Sequence, residues 1–440
     1  MHIQTFVNGR WYTAAKINFK PTGTISFSYL PEYLANSHVA YDSRAEFAIS
    51  VNAPVSAIES EYPRWPALFD DLLPVGKART WWINNLGIQH REPEQINRLL
   101  LEHAVLAPIG NLRIKEAFES LPPQQTLTFE ISQVAALEYD FLEFASSQGA
   151  TVGGATGAHG VAPKLLLNVN KAGKVIIDPD FAGRPNQAQP YLVKFARNNR
   201  SVTDNNILRA EYSYYCVLNN LLRDTAIPTM NAEQIMLHID PTSSQASLWL
   251  PRFDVYEADG ALHRVGVESI YSILDVSAGA SCNHFNVIHE LLNRLNGLLN
   301  ISQEQFVTEY VIRDMLNVIF GNSDNHGRNI SFIKHNGVVT YAPIYDFAPM
   351  RADPEVITRL FKWGAPYEVG ASINYPVIAQ QLKQYVAPEK LMAQLNAIAT
   401  KLLNLPEQLE IAGCPEQILQ MPIMGFHYLE QRLTSMGLLS

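Results

Sequence analysis

The chain has 440 residues, of which 47% are hydrophobic and 17% charged, with a formal net charge of −9. That balance excludes a disordered chain and leaves room for two or three domains, or for one two-lobed enzyme with an appendage. The acidic excess argues against broad nucleic-acid binding or work at an anionic membrane, because the long-range field repels polyanions.

The chain opens on HIQTFV, an Asn8-Gly9 hairpin signal, RWYTAAKINF, a Pro21-Thr22-Gly23 turn and TISFSYL, which together predict a small antiparallel sheet. The N-terminus shows no basic patch followed by an apolar run, so no signal peptide is expected. PALFDDLLP and TWWINNL predict short helices, and PEQINRLLLEHAVL a longer one with Pro93 in its first turn. Between Gly149 and Pro251 the pattern is mostly β: KLLLNV, KVIID, PYLVKFA, EQIMLHI and ASLWLP. One helix interrupts it, roughly from Asn205 to Leu222, with Ile207, Tyr214, Leu218 and Leu221 at helical spacing. After Phe253 the pattern turns helical, and Ser302 with Gln305 forms a capping box for QEQFVTEYVIRDMLNVIF.

No run of about 18 apolar residues occurs, so no membrane span is expected. Cys216, Cys282 and Cys414 lie far apart, which suits neither a disulfide framework nor a thiolate zinc site. Reduced thiols in a cytoplasmic protein are the expectation.

The chemistry concentrates in GNSDNHGRNISFIKHNGVVTYAPIYDFAPM, residues 321 to 350. Asp324 and Asn329 follow a long apolar helix. ISFIK and VVTYA flank His335-Asn336-Gly337, so a hairpin folds Asn329 back towards Asp346. Phosphoryl transfer needs one carboxylate to orient the attacking hydroxyl, and an amide oxygen with a second carboxylate to hold magnesium. Asp324 alone would read as an Asx-turn residue in a polar loop; the ordered trio favours catalysis. The order matches the catalytic and metal-binding loops of protein kinases. It departs from them in Asp-Phe-Ala, where Asp-Phe-Gly is usual, and in lacking His-Arg before Asp324. His326 could bind a metal or hold the loop by hydrogen bonds, with the second role favoured.

Gly-Asn-Ser-Asp-x-His-x-x-Asn followed by Tyr-Asp after a hairpin resembles the signature of HipA-type kinases, the toxin components of bacterial toxin–antitoxin pairs. FVNGRWYTAAKINFKPTGTISFSYLPEYLA, FDDLLP, VGGATGAHGVAPK, YLVKF, AEYSYYCVL and PRFD resemble further pieces of that family in the same order. The resemblance covers most of the chain and weakens after about residue 355. It implies an α+β, two-lobed protein-kinase-like fold with an added N-terminal β-rich domain and a mainly helical C-terminal lobe. The expected divisions are 1–145, an ATP-binding lobe at 146–255 and a helical lobe at 256–440. By motif match Asp324 is the implied catalytic base, and Asn329 and Asp346 the implied magnesium ligands. The resemblance also implies serine/threonine phosphorylation, aminoacyl-tRNA synthetases as targets, and a HipB-like helix-turn-helix antitoxin as partner.

The remaining ATP-site candidates are weaker taken singly. Gly149, Gly153, Gly154, Gly157 and Gly160 crowd a segment where backbone N–H groups can approach phosphates. Neither standard glycine-loop motif is present, and a surface loop is the alternative. Lys194 in PYLVKFA is the expected phosphate lysine, Lys164 its rival, and Glu211 a residue that could hold its ammonium. Arg252 and Phe253 lie in PRFD, the expected link between lobes, with Phe253 an apolar contact for adenine. Thr151, or Thr156, is a candidate autophosphorylation site in the glycine segment. A lipid or small-molecule acceptor, a metal-dependent phosphoesterase around Asp324, His326 and Asp346, and a non-catalytic kinase-fold binding protein are the competing readings.

Overall fold

The computed structural model describes residues 1–106, 108–120, 128–136, 164–177, 188–197, 200–258, 260–370 and 372–439. The glycine-rich segment, with Thr151, Gly153, Gly154, Thr156 and Gly157, lies outside the described residues.

The N-terminal sheet comprises β1 (His2–Val7), β2 (Arg10–Phe19), β3 (Ile25–Tyr29), β4 (Ser60–Tyr62) and β5 (Leu112–Ile114), ordered β4-β3-β2-β1-β5 and antiparallel throughout. Asn8 at φ 47° and Gly9 at φ 78° make the expected left-handed hairpin turn. The apolar side of the sheet, including Ile3, Ala15 and Phe27, packs with Phe69 and with Leu100 and Leu101 of the helix Pro93–Ala104. Pro93 sits in the first turn of that helix, where its missing N–H costs nothing.

A second antiparallel sheet comprises β6 (Thr128–Phe129), β7 (Lys164–Asn170), β8 (Val175–Ile176), β9 (Ala188–Phe195), β10 (Met236–Ile239) and β11 (Ala246–Pro251), ordered β10-β11-β9-β7-β8-β6. Its edge strand β6 lies upstream of residue 146, where the sequence reading started this lobe. The helix Val202–Leu221 packs on the sheet. It begins earlier than its apolar periodicity suggested, because Ser201 and Asp204 form a reciprocal capping box that satisfies its first N–H groups.

After Phe253 the structure differs from the helical expectation. Three strands intervene: β12 (Val255–Ala258), β13 (Ala261–Arg264) and β14 (Gly266–Ser269). Gly260, at φ 72°, makes the β12–β13 turn, and the Asp-Gly turn signal there outweighs the weak helical pattern that follows. A short strand β15 (Cys282–Asn283) precedes the helix His284–Arg294. The helix Gln303–Ile319 is buried from Phe306 onwards, on every side, and forms the axis of the helical lobe. It ends at Phe320, directly before the chemistry-bearing segment. There, β16 (Ser331–His335) and β17 (Val338–Tyr341) form a hairpin that β14 extends to a three-stranded sheet.

The N-terminal domain is joined to this sheet through a buried ion pair. Lys334 Nζ lies 3.1 Å from Glu268 Oε2 and donates to the carbonyls of Ala48 and Ile49, while Ser50 Oγ donates to Glu268 Oε1 at 2.6 Å. These contacts join elements far apart in sequence, so the pair fixes how they seat on one another. Among the described residues, no helix is long and apolar enough to cross a membrane.

Candidate active site

Five segments of the chain converge on one cleft. From β9, Lys194 points inward and is 4% exposed. Its Nζ donates to Glu211 Oε1 at 2.6 Å, from the facing side of the helix Val202–Leu221, and also to Asp346 Oδ1. Across the ladder, Lys164 of β7 pairs in register with Lys194, and its Nζ lies 3.2 Å from Asp346 Oδ2. Two cross-strand lysines thus face one carboxylate. Like charges in register are unfavourable alone; here Asp346 and Glu211 compensate them.

Asp346 is positioned by the hairpin. Asn336 at φ 51° and Gly337 at φ 77° supply the left-handed pair that a two-residue turn requires. Past its last rung the hairpin stays closed, with Ala342 N donating to Ser331 O at 2.9 Å and the Tyr345 hydroxyl bonded to Ser331 Oγ and to the Arg328 carbonyl. Asp346 itself sits at φ 52°, a costly conformation for a residue with a Cβ. Asn322 Nδ2 donates to its carbonyl at 3.2 Å.

Asp324 opens the loop on the opposite wall. Its N–H donates to Asn322 Oδ1 at 3.3 Å, and one carboxylate oxygen lies 3.4 Å from His326 Nε2. His326 is 1% exposed, accepts from the Arg328 N–H through Nδ1 at 3.2 Å, and stacks on Tyr271. These contacts give it a loop-holding place. Asn329 Nδ2 donates to the Asp324 carbonyl at 2.6 Å, which turns its Oδ1 away, and that buried oxygen has no hydrogen-bond partner among the described residues. An unpartnered buried amide oxygen is costly unless something else binds it.

The two carboxylates are tuned in opposite directions. Burial, reinforced by the charge of Asp346, pushes the Asp324 carboxyl up to about 7. Asp346 is half-buried and partly desolvated too, but Lys164 and Lys194 hold it far below the usual carboxylate range. Burial lowers the Lys164 ammonium, against the opposing pull of Asp346. Lys194 is raised despite burial, by Asp346 and Glu211.

Beside this polar cleft is an apolar pocket lined by Ile109, Leu192, Met230, Leu250, Phe253 and Tyr345, which meets the cleft at Lys194 and Asp346. Phe253 stacks on Tyr345 at 5.7 Å. Arg252 does not reach across the pocket. Its guanidinium is committed to Asp254 at 2.9 and 2.5 Å, and Asp254 in turn accepts from the Gly110 N–H at 2.7 Å. The structure therefore brings Lys194, Glu211, Asp324 and Asp346 around one cleft, with His326 and Asn329 behind it, and puts Phe253 in the adjoining pocket. Sequence reasoning missed Ile109, Met230 and the convergence of both lysines. Met230 carried no signal; the matched register of β7 and β9 would have paired Lys164 with Lys194.

The family of HipA-like C-terminal domains matches residues 156–402, more than half of the chain, and the HipA N-terminal domain family matches residues 7–115. The chain belongs to the HipA family. No curated protein matches it. Among solved structures it is similar to HipA of Shewanella oneidensis MR-1, described in a toxin–antitoxin complex of HipA, HipB and operator DNA. The identity is 16%, the match covers 99% of this chain and 98% of that one, and the TM-score is 0.63. The proinflammatory kinase CtkA of Helicobacter pylori is 13% identical over 64% of this chain and 89% of its own, with a TM-score of 0.34, and carries no argument here. Family and fold together make this an α+β, kinase-like HipA relative.

Proposed function

We propose that the chain is an ATP- and magnesium-dependent serine/threonine protein kinase that also phosphorylates itself. The observation that carries the reading is the joint contact of Lys194 with Glu211 and Asp346, facing Asp324 across a cleft that continues into an apolar pocket. A lysine held by a helix carboxylate is the arrangement that positions nucleotide phosphates in kinases. In this reading the apolar pocket takes adenine between Leu192, Leu250 and Phe253, and Lys164 and Lys194 face the phosphates. Asn329 Oδ1 and the Asp346 carboxylate suit magnesium, since both are hard oxygens and the first lacks any other partner. When bound, magnesium neutralises charge on the phosphates. Asp324, with its carboxyl near neutrality, accepts the proton of the attacking hydroxyl.

The similarity to HipA supports a HipB-like helix-turn-helix antitoxin as partner, and an aminoacyl-tRNA synthetase is the proposed substrate. Thr151 and Thr156 stand as proposed autophosphorylation sites, and the cytoplasm as the proposed location. The proposed divisions are an N-terminal domain, an ATP-binding lobe whose sheet already includes β6 at Thr128–Phe129, and a helical lobe from residue 256. A lipid or small-molecule acceptor is the alternative. Incubation with labelled ATP and magnesium is expected to label wild-type protein and to leave Asp324→Asn unlabelled; equal labelling of both, or of neither, overturns the kinase reading.

A further inference from the structure

The FDDLLP segment belongs to the N-terminal domain, yet two of its residues act on the loop that carries Asp324. Arg328, 5% exposed, donates from Nη2 to the Asp70 carbonyl at 2.9 Å. Its own carbonyl accepts from the Tyr345 hydroxyl, next to Asp346. Its N–H donates to His326 Nδ1, and the same ring lies 3.4 Å from Asp324. Arg328 is therefore bonded at three points: its side chain to the N-terminal domain, and its backbone towards Asp346 through Tyr345 and towards Asp324 through His326.

Asp71 works beside it. Its carboxylate accepts from Ser269 N at 2.8 Å and from Ser269 Oγ at 2.7 Å. Ser269 caps the helix Ile270–Leu274, and that helix is the wall against which the loop lies. Ile270 N donates to the Ile330 carbonyl at 3.1 Å, and Tyr271 stacks on His326. The fit at Tyr271 is close: a Cβ on Gly327 would meet its ring at 2.6 Å. A loop seated this tightly moves when its wall moves.

We propose that Arg328 and Asp71 are positioning residues, through which the N-terminal domain holds the Asp324 loop in its reacting place. This rests on the kinase reading above. The proposed nucleotide contacts, Lys194, Leu192, Leu250 and Phe253, are bonded to neither Arg328 nor Asp71, and the Tyr345 hydroxyl of the pocket meets Arg328 through its backbone carbonyl, which a side-chain variant keeps, so loss of the brace lowers transfer without weakening nucleotide binding.

The test compares full-length wild type, Arg328→Ala and Asp71→Asn. Single-turnover autophosphorylation with labelled ATP is read beside the affinity for a non-hydrolysable ATP analogue with magnesium. The transfer rate constant of Arg328→Ala is expected to fall about 100-fold, the usual cost of displacing a catalytic group by about 1 Å. Analogue affinity should stay within about twofold, and millimolar guanidinium ion should restore part of the rate. Transfer within about threefold of wild type, an equal loss of analogue affinity, or no response to guanidinium overturns the proposal. If Arg328→Ala does not fold, Asp71→Asn decides, with a loss of about 10-fold expected in rate alone. Wild type that binds the analogue but transfers nothing sinks the kinase reading itself; an active wild type with equally active variants sinks only the brace.

Discussion

The turn carrying Asp346 and the loop carrying Asp324 face one cleft, but they treat their carboxylates in opposite ways. Asp346 lies between two ammonium groups and remains charged in spite of partial desolvation. Asp324 is largely withdrawn from water, at 14% exposure, with no lysine or arginine at salt-bridge distance among the described residues, and the charge of Asp346 opposes its own. The difference teaches that burial alone does not set a carboxylate's state. Neighbours decide whether the group serves as a fixed anion or as a proton acceptor near neutral pH.

The comparison breaks most directly at Asp346. Asp346→Asn is expected to abolish transfer of labelled phosphate and also to destabilise the fold, because among the described residues Lys164 then has no carboxylate at ion-pair distance and Lys194 keeps Glu211 alone. Removing one partner of a buried ion pair costs about 3–5 kcal/mol, which chemical denaturation would read out. An Asp346→Asn protein as stable as wild type would show that the lysines are not held by this carboxylate.

Asp324→Asn should do the reverse to stability while also stopping transfer, by about 100-fold or more for a lost general base. The folded-state carboxyl titrates near 7 instead of 3.8. Folding therefore favours the protonated form, and its contribution is full at acid pH and lost as pH rises towards 7 and beyond. The neutral amide escapes that loss, so a melting temperature about 2–4 °C above wild type is expected at pH 8, with little gain at about pH 4. A lower melting temperature at pH 8 would contradict the assignment.

Wild-type kcat/KM should rise with pH and level off above about 7, tracking deprotonation of Asp324 in the free enzyme. A flat profile from about pH 5.5 to about 8.5 would remove Asp324 as the base. The smallest effect is expected in the apolar pocket. Ile109→Ala trims a wall contributed by the N-terminal domain, and should raise KM for ATP about 3–10-fold with kcat nearly unchanged, the signature of lost uniform binding.

Much of the site was legible because local signals agreed. Asn336-Gly337 fixed a two-residue hairpin, and hairpin geometry returns the chain to where it began, so Asp346 had to lie near the Asp324–Asn329 loop. The Ser302–Gln305 capping box marked the start of the long helix that ends at this loop. The strands after Phe253 were missed because short half-buried runs carry little periodicity, and only the Asp-Gly turn betrayed them. Glu211 was ambiguous in the sequence, since one charged residue on a helix reads equally as solvated; its burial against Lys194 resolves it.

By itself, the sequence determined the hairpins, the caps, the family likeness and the order of the acidic and amide groups. Each of these depends on neighbours within a few residues. Only the tertiary structure decided which lysines meet Asp346, how far burial lifts Asp324, that Ile109 of the N-terminal domain lines the apolar pocket, and that Asp70 and Asp71 bond to Arg328 and Ser269. Those depend on desolvation and on contacts between residues some 150 to 260 positions apart, which no local pattern encodes.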